Sequence, residues 1–587
     1  MKKKNFLYMA AAATALTFAA CSSEDVVEAP GPNVITPEMA TSYANVKIAL
    51  SSNLGTRAFG SDDTNFDLGT EAEAAVKSLT LVFIDESGEI VGTGTADEFT
   101  SSTDRTTTST DQSISDIYQQ AIIKVSLNPG SAVPTKMYAY VNAGENVNGN
   151  TTATTESLGD LTNGLVMTNA GYFSGSNYKI AVDINAEDQL YSTAAEAAAE
   201  GVNVVEIFVE RLAAKVALSL KDEISEAEKT AEIVLYDVND NPYKIVYDPW
   251  SWATTGLADK TYLLKQPWTE SLTWANATNR SYWATGVYYG TPYAKYTTES
   301  PLTYRSANQI ISINSDLAHK FNATAANDYV MEHTFGDAAK NGDSFDPVMT
   351  STSAIVVGQY KVVALDENGD ASNFEGDGDG EYDFYVALRG AEDGKPSYTI
   401  YSKEDLVKYL YKRNGIKMAV TSGASAEETW ETTNILDYLD AVKNEGTGKY
   451  ELKKVSGKTL YSGENFDTPV ADESITATSN AKHYRNGWAY FFVPIKHNYT
   501  DEATVGSYGV VRNHSYKLTV NKIVGLGAPL DEGKIGEDPK NTDPDDPDPN
   551  DPGENPVDPD PDDLKDAYIN ATLKVLSWHV IGQNVDL

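Results

Sequence analysis

Apolar and polar residues alternate with a period of two along most of the chain, the spacing of strands that bury one face. "NVKIALSSN" places Val46, Ile48 and Leu50 on one side, which predicts a strand with one buried face. "VKSLTLVFIDESGEIVG" reads as strand, acidic-glycine turn and strand, a hairpin signal. "IIKVSLNPG", "TKMYAYVNAGEN", "YKIAVDI" and "VNVVEIFVERLAAKVALSL" repeat the pattern, and "TAEIVLYDV", "NPYKIVYD", "SAIVVGQYKVVAL", "YDFYVALRG", "GWAYFFVPIKHN" and "GVVRNHSYKLTVNKIVGLG" continue it. Short strands with no helices between them predict an all-β protein built of antiparallel sandwiches. The best helical stretch is "SKEDLVKYLYKRNG", with Ser402 as cap, Asp405 at the third position, a stripe of Leu406, Tyr409 and Leu410, and Gly415 as stop.

Two segments depart from the alternation. Residues 248–305 are irregular and hold Trp250, Trp252, Trp268, Trp274 and Trp283. A loop-rich satellite core is the favoured reading, because large rings in irregular structure are usually buried, and a sugar-stacking platform is the other. From Asp531 to Asp563 there are fourteen acidic residues and eight prolines, against Lys534 and Lys540 as the only bases. Self-repulsion and polyproline preference predict an extended spacer. Beyond it Ile569, Ala571, Leu573 and Val575 alternate, a strand pattern that needs a sheet to join, in its own molecule or another.

Composition agrees with strands: 35 Tyr against 16 Phe in a chain of 587 residues, with abundant Ser and Thr. Such a length calls for two or more cores. With 45 basic against 85 acidic residues the net charge is -40, which repels nucleic acid and makes it a poor partner. Cys21 is the single cysteine, so no internal disulfide or thiolate cluster can form.

The N-terminus explains that cysteine. "MKKKNFLYMAAAATALTFAAC" has a basic start, an apolar run too short for a stable span, and small residues before Cys21, the marks of an export signal over residues 1–20. "LTFAAC" resembles the lipobox of bacterial lipoproteins, which implies that Cys21 carries lipid, and the acidic "SSEDVVE" resembles a surface-export tag. Residues 22–44 read as a tether. In "LGTRAFGSDDTN", Arg57 is the only basic residue between Lys47 and Lys77, a solitary target for an Arg-specific protease cutting before Ala58.

Chemistry is sparse. The six histidines show no metal-ligand spacing, "DENGDASNFEGDGDGEYD" lacks the geometry of a calcium loop, and there is no nucleophile elbow, P-loop or dinucleotide fingerprint. The sequence predicts no metal, no cofactor and no catalytic residue; a hydrolase rests only on abundant carboxylates.

Several motifs together resemble the Bacteroidetes fimbrillins, or type V pilins, and especially the Mfa-type short-fimbria stalk subunits. They are the lipobox at Cys21, "TRA" at 56–58, "MYAYVNAG" at 137–144, "VERLAAKV" at 209–216 and "GVVRNHSYKLTVNKIVGLG" at 509–527. The resemblance implies two tandem transthyretin-like β-sandwich domains with "VERLAAKV" near their junction, and no enzyme. It gives a propeptide over 21–57, domains over 58–212 and 213–530, the spacer over 531–563 and a donor segment over 564–587. It further implies an outer-membrane lipoprotein precursor cut after Arg57 by a trypsin-like protease and assembled into a cell-surface fimbrium. Partners would be copies of itself, anchor and tip subunits, and host or bacterial surface ligands. In that scheme the strand of Val46, Ile48 and Leu50 leaves, and the strand of Ile569, Ala571, Leu573 and Val575 from the next subunit takes its groove. Such head-to-tail insertion does not close and yields a filament. The Trp-rich segment leaves a tip or accessory adhesin, or a surface-anchored glycan-binding lipoprotein, as the alternatives.

Overall fold

The computed structural model describes residues 35, 40–50, 66–67, 69–102 and 578–586, and residues 118–530 with interruptions, the longest at 269–282, 290–301, 304–317 and 335–350. Strands dominate it, and the fold is all-β.

In the first half the strands are β1 (Thr41–Leu50), β2 (Leu79–Ile84), β3 (Ile90–Ala96), β4 (Tyr118–Leu127), β5 (Lys136–Val141), β6 (Met167–Asn169) and β7 (Val205–Arg211). They belong to one nine-stranded sheet that closes on itself in the order β1–β7–β6–β5–β2–β3–β4 and back to β1. The hairpin predicted over 76–92 is β2–β3. Asp85 sets its turn by accepting from the Ser87 and Glu89 backbone N–H groups at 2.8 and 3.0 Å, and Gly88 follows at φ 87°, where a side chain would be strained. Inward residues of these strands, among them Leu81, Phe83, Ile123, Val125, Ala139, Ile207 and Val209, form the first core.

At Leu212 the chain passes from β7 directly into β8 (Ala213–Leu220), which lies in a different sheet. That sheet runs Phe66–Asp67, Trp578–Asp586, His514–Lys522, β8 and Asp328–Met331. Facing it is a ten-stranded sheet that contains β9 (Val234–Tyr236), β10 (Pro242–Thr255), β12 (Ser353–Leu365), β13 (Phe384–Glu392), β14 (Lys395–Tyr401) and β15 (Trp488–Pro494). The remaining strands of the smaller sheet are β11 (Asp328–Met331), β16 (His514–Lys522) and β17 (Trp578–Asp586). Val216 and Leu218 of one sheet and Ile245, Tyr247, Val356 and Phe491 of the other share a second core. Pairing among the described strands is mostly antiparallel, with parallel pairs at β1–β7, β8–β16, β9–β14 and β16–β17.

Helix Lys403–Asn414 starts and stops where the pattern places it. Ser402 accepts from the Asp405 N–H at 3.0 Å and Gly415 ends it at φ 71°. The buried stripe is Leu406, Val407, Leu410 and Tyr411, with Tyr409 only partly covered, and it packs on a third core that includes Leu439 and Leu452. The wider stripe reflects packing on two sides, which a single-face reading does not anticipate.

Candidate functional site: the seat of strand β1

β1 is the stave that closes the ring. It runs parallel to β7, with Val46 opposite Val205 and Leu50 opposite Val209, and antiparallel to β4, from Thr41 opposite Ser126 to Ala49 opposite Tyr118. Ala44 and Val46 sit in the first core at 1% and 0% exposure. Ile48 and Leu50 keep the same phase, opposite Ile207 and Val209.

The prediction of one buried face needs correction. Asn45, of the opposite phase, is buried too, because the turn of helix α1 (Ala194–Ala197) packs on that side of β1, and Ser42, in phase with Val46, is buried as well. Thr193 and Glu196 hold that turn in place through a reciprocal capping box. The Asn45 Nδ2 donates to the Ala197 carbonyl at 2.9 Å, and the Gln120 Nε2 donates to the Asn45 Oδ1 at 2.8 Å. The Tyr43 N–H donates to the Tyr191 carbonyl and the Tyr191 N–H returns a bond at 2.8 Å. The slot is therefore apolar on one wall and has a fixed amide-binding point on the other. Lifting β1 out would leave the facing backbone groups of β4 and β7 unpaired along both edges.

β7 carries this slot to the junction with the second half. There Arg211 donates through Nε to the Glu73 carbonyl at 2.7 Å and through Nη1 to the Asn513 Oδ1 at 3.1 Å. Lys215 pairs with the Glu73 carboxylate at 2.7 Å, Lys265 with Glu210 at 3.3 Å, and Arg512 with Glu332, both side chains of the last pair being fully buried. Burial alone would raise the Glu73 carboxyl, but bonds from Lys215 and Tyr329 outweigh it and hold the group below its ordinary range. Arg512 also donates to the Leu263 and Tyr262 carbonyls at 3.1 and 2.6 Å, so its charge is fully served.

At the far end, β17 lies parallel to β16, with Val580 opposite Ser515, and Phe66–Asp67 pairs with its beginning. This stretch falls in a region that matches a known family: residues 482–584 fit the description "Major fimbrial subunit protein type IV, Fimbrillin, C-terminal". The C-terminal region matches the fimbrillins. The matched region takes in β15, β16 and most of β17.

Three solved structures are among those similar to the chain. One is a candidate cell adhesion protein of Parabacteroides distasonis, at 12% identity and a TM-score of 0.30, covering 83% of this chain and 94% of that one. Another is a fimbrial assembly protein of Parabacteroides distasonis, at 10% identity and a TM-score of 0.25, covering 62% and 97%. The third is the tip fimbrial protein Mfa3 of Porphyromonas gingivalis, at 10% identity and a TM-score of 0.22, covering 61% and 99%. No curated protein sequence matches the chain.

Of the residues singled out in the sequence, Val46, Ile48 and Leu50 lie together in β1. Cys21, Arg57, Ala58, Ile569, Ala571, Leu573 and Val575 lie outside the described residues, as do the Asp/Pro spacer and most of the 366–383 loop. The alternation reading did not include β17 of the fimbrillin region. Its apolar residues Trp578, Val580, Ile581 and Val585 do not keep a period of two, and only their β-branched and aromatic character signals a strand. Asn45 and Gln120 are not singled out by the alternation either, since each stands at a polar position of its strand. Trp252, Trp268 and Trp283 are buried at 1%, 2% and 0%, the last two stacked edge to face at 6.3 Å.

Proposed function

We propose that the chain is a structural subunit of a surface fimbria, exported as a lipoprotein on Cys21, cut between Arg57 and Ala58, and polymerised by donor-strand exchange to support adhesion. The match of residues 482–584 to a fimbrial subunit family supports the fimbrial role. The observation that carries the mechanism is the placement of β1: the strand that closes the first sheet is also the one joined to a solitary arginine by a short polar stretch. A cut there frees β1 from the body it completes, and the slot then offers unpaired backbone edges beside apolar pockets. The segment Ile569–Val575 of the next subunit, on an Asp/Pro spacer, has the alternation and the reach to fill it. The partners are copies of the same chain, with anchor and tip subunits at the ends of the filament and a trypsin-like protease in maturation.

Two variants test this. Arg57→Ala should abolish filaments on cells that carry only this form, and the surface form of the unaltered chain should start at Ala58 by N-terminal sequencing. Leu573→Asp should leave a folded, processed monomer, because it alters the donor segment and spares β17. Normal filaments with either variant would overturn the reading.

A further inference from the structure

The leaving strand and the C-terminal segment share more than alternation. Set position for position, Tyr43-Ala44-Asn45-Val46-Lys47-Ile48-Ala49-Leu50 lies against Tyr568-Ile569-Asn570-Ala571-Thr572-Leu573-Lys574-Val575. In this alignment a tyrosine and an asparagine recur, and all four positions in phase with Val46 stay apolar. Asn45 is only 5% exposed and is bonded at both ends of its amide, to the Ala197 carbonyl and the Gln120 side chain. A buried donor and acceptor of this kind demand a matching partner, and a side chain of another shape leaves them unmet.

We propose that Asn570 of the neighbouring subunit takes the place of Asn45 and fixes the register of the incoming strand, so that Tyr568–Val575 replaces Tyr43–Leu50 residue for residue. The inference rests on the donor-strand reading and adds to it which residue goes where.

A second observation weighs the same register independently. Leu50 pairs with Val209, so Val575 in its place is level with Val209. Counting on past Leu212 along β7 and β8 brings Val580 level with Ala214. In the structure Ser515 pairs with both Lys215 and Val580, which puts Val580 level with Lys215, one residue away. Five residues, Val575 to Val580, thus face six levels, Val209 to Lys215, and a tail that fills the first slot comes within one residue of the β17 seat on the same acceptor. A slip that puts Thr572 in the place of Asn45 brings Val580 level with Leu212, three residues from the β17 seat. A slip the other way brings Val580 level with Val216, again one residue from the seat, but it puts Tyr568 in the amide slot, where the ring cannot make both bonds. Only the Asn570 register satisfies both the slot and the level.

The test uses filaments assembled from full-length chains on cells. Lys47 pairs with Glu206, which is exposed, so in the proposed register Thr572 of the neighbour lies beside Glu206. Glu206→Cys is combined in turn with Asn570→Cys, Thr572→Cys or Lys574→Cys, the filaments are oxidised, and subunits are separated under denaturing, non-reducing conditions. Adjacent strands lie ~4.8 Å apart while a two-residue slip adds ~6.6 Å, beyond disulfide reach. A ladder of linked subunits is expected with Thr572→Cys and not with the other two. A ladder with Asn570→Cys or Lys574→Cys instead would overturn the register and leave donor-strand exchange standing. Filaments with no ladder in any pair, or a crosslink confined to single chains, would overturn both. In the unlinked background, Asn570→Ala should speed loss of subunits from detergent-treated filaments about tenfold, as expected for two hydrogen bonds lost; an unchanged rate would remove Asn570 as the determinant.

Discussion

Val46 is the side chain that would separate the two forms implied by the proposed maturation. It is fully buried in the first core, opposite Val205 and Ala121, and trimming it to alanine removes two methyl groups and leaves a cavity there, at a cost of about 2–3 kcal/mol. Under the proposed maturation, however, Val46 is discarded with the propeptide. Val46→Ala should therefore lower the denaturation midpoint of the unprocessed chain and leave that of the assembled filament where it was. A parallel drop in both would mean that β1 stays in the slot. Asn45 belongs to the same argument from the other wall: its amide is recognised, whereas Val46 is merely accommodated.

At the level of elements, the weight of the structure falls on the junction. β7 and β8 form one run of backbone through Leu212, flanked by the Glu73–Lys215, Glu210–Lys265 and Arg512–Glu332 pairs. Arg512→Met would leave the Glu332 carboxylate buried without its partner, and unfolding by denaturant should show a loss of about 3–5 kcal/mol. Adding Glu332→Leu to that variant should restore much of it, because the stranded charge goes as well.

How much of this the sequence discloses depends on the range of the interaction. The hairpin at Asp85–Gly88 and the helix after Ser402 are set by neighbours two to four residues away, and both are legible. β1 is legible as a strand, because Val46, Ile48 and Leu50 alternate. That it closes a ring, parallel to a strand more than a hundred residues on, is not, since nothing local encodes a parallel partner. The ion pairs join residues as far apart as Glu332 and Arg512, and in the sequence each reads as one more surface charge. Asn45 hides for the same reason: its partners, Gln120 and Ala197, are supplied by the fold.

The whole molecule should lose stability on the acid side in two stages. His333 is buried against Thr352, and burial pushes its imidazole down to about 4 from the ordinary 6.5. The folded state therefore takes up this proton later than the unfolded one. The stability it confers is complete above pH 6.5, declines as pH falls, and is gone near pH 4, a span worth roughly 3 kcal/mol. Glu73 is held below its ordinary 4.5, so its contribution persists to lower pH and goes only as pH falls through the folded value. His333→Asn should flatten the first stage and keep the second; denaturation midpoints at pH 6.5 and 4.5 would show the difference between the two, and an unaltered slope would remove His333 from the account.

The polarity shared by β1, β7, β8, β16 and β17 bears on how a filament of the proposed kind would carry load. A tail seated in the β1 slot lies along β7, and its ladder bonds stand across the strand direction. Tension applied along the strands then shears every rung at once instead of opening them one after another from an end. The pull would pass from the tail to β7, through Leu212 into β8, and on through β16 to the point where the subunit's own spacer departs. An Asp/Pro spacer that is extended from the start, as its sequence predicts, would hand that pull to the next subunit with little give of its own.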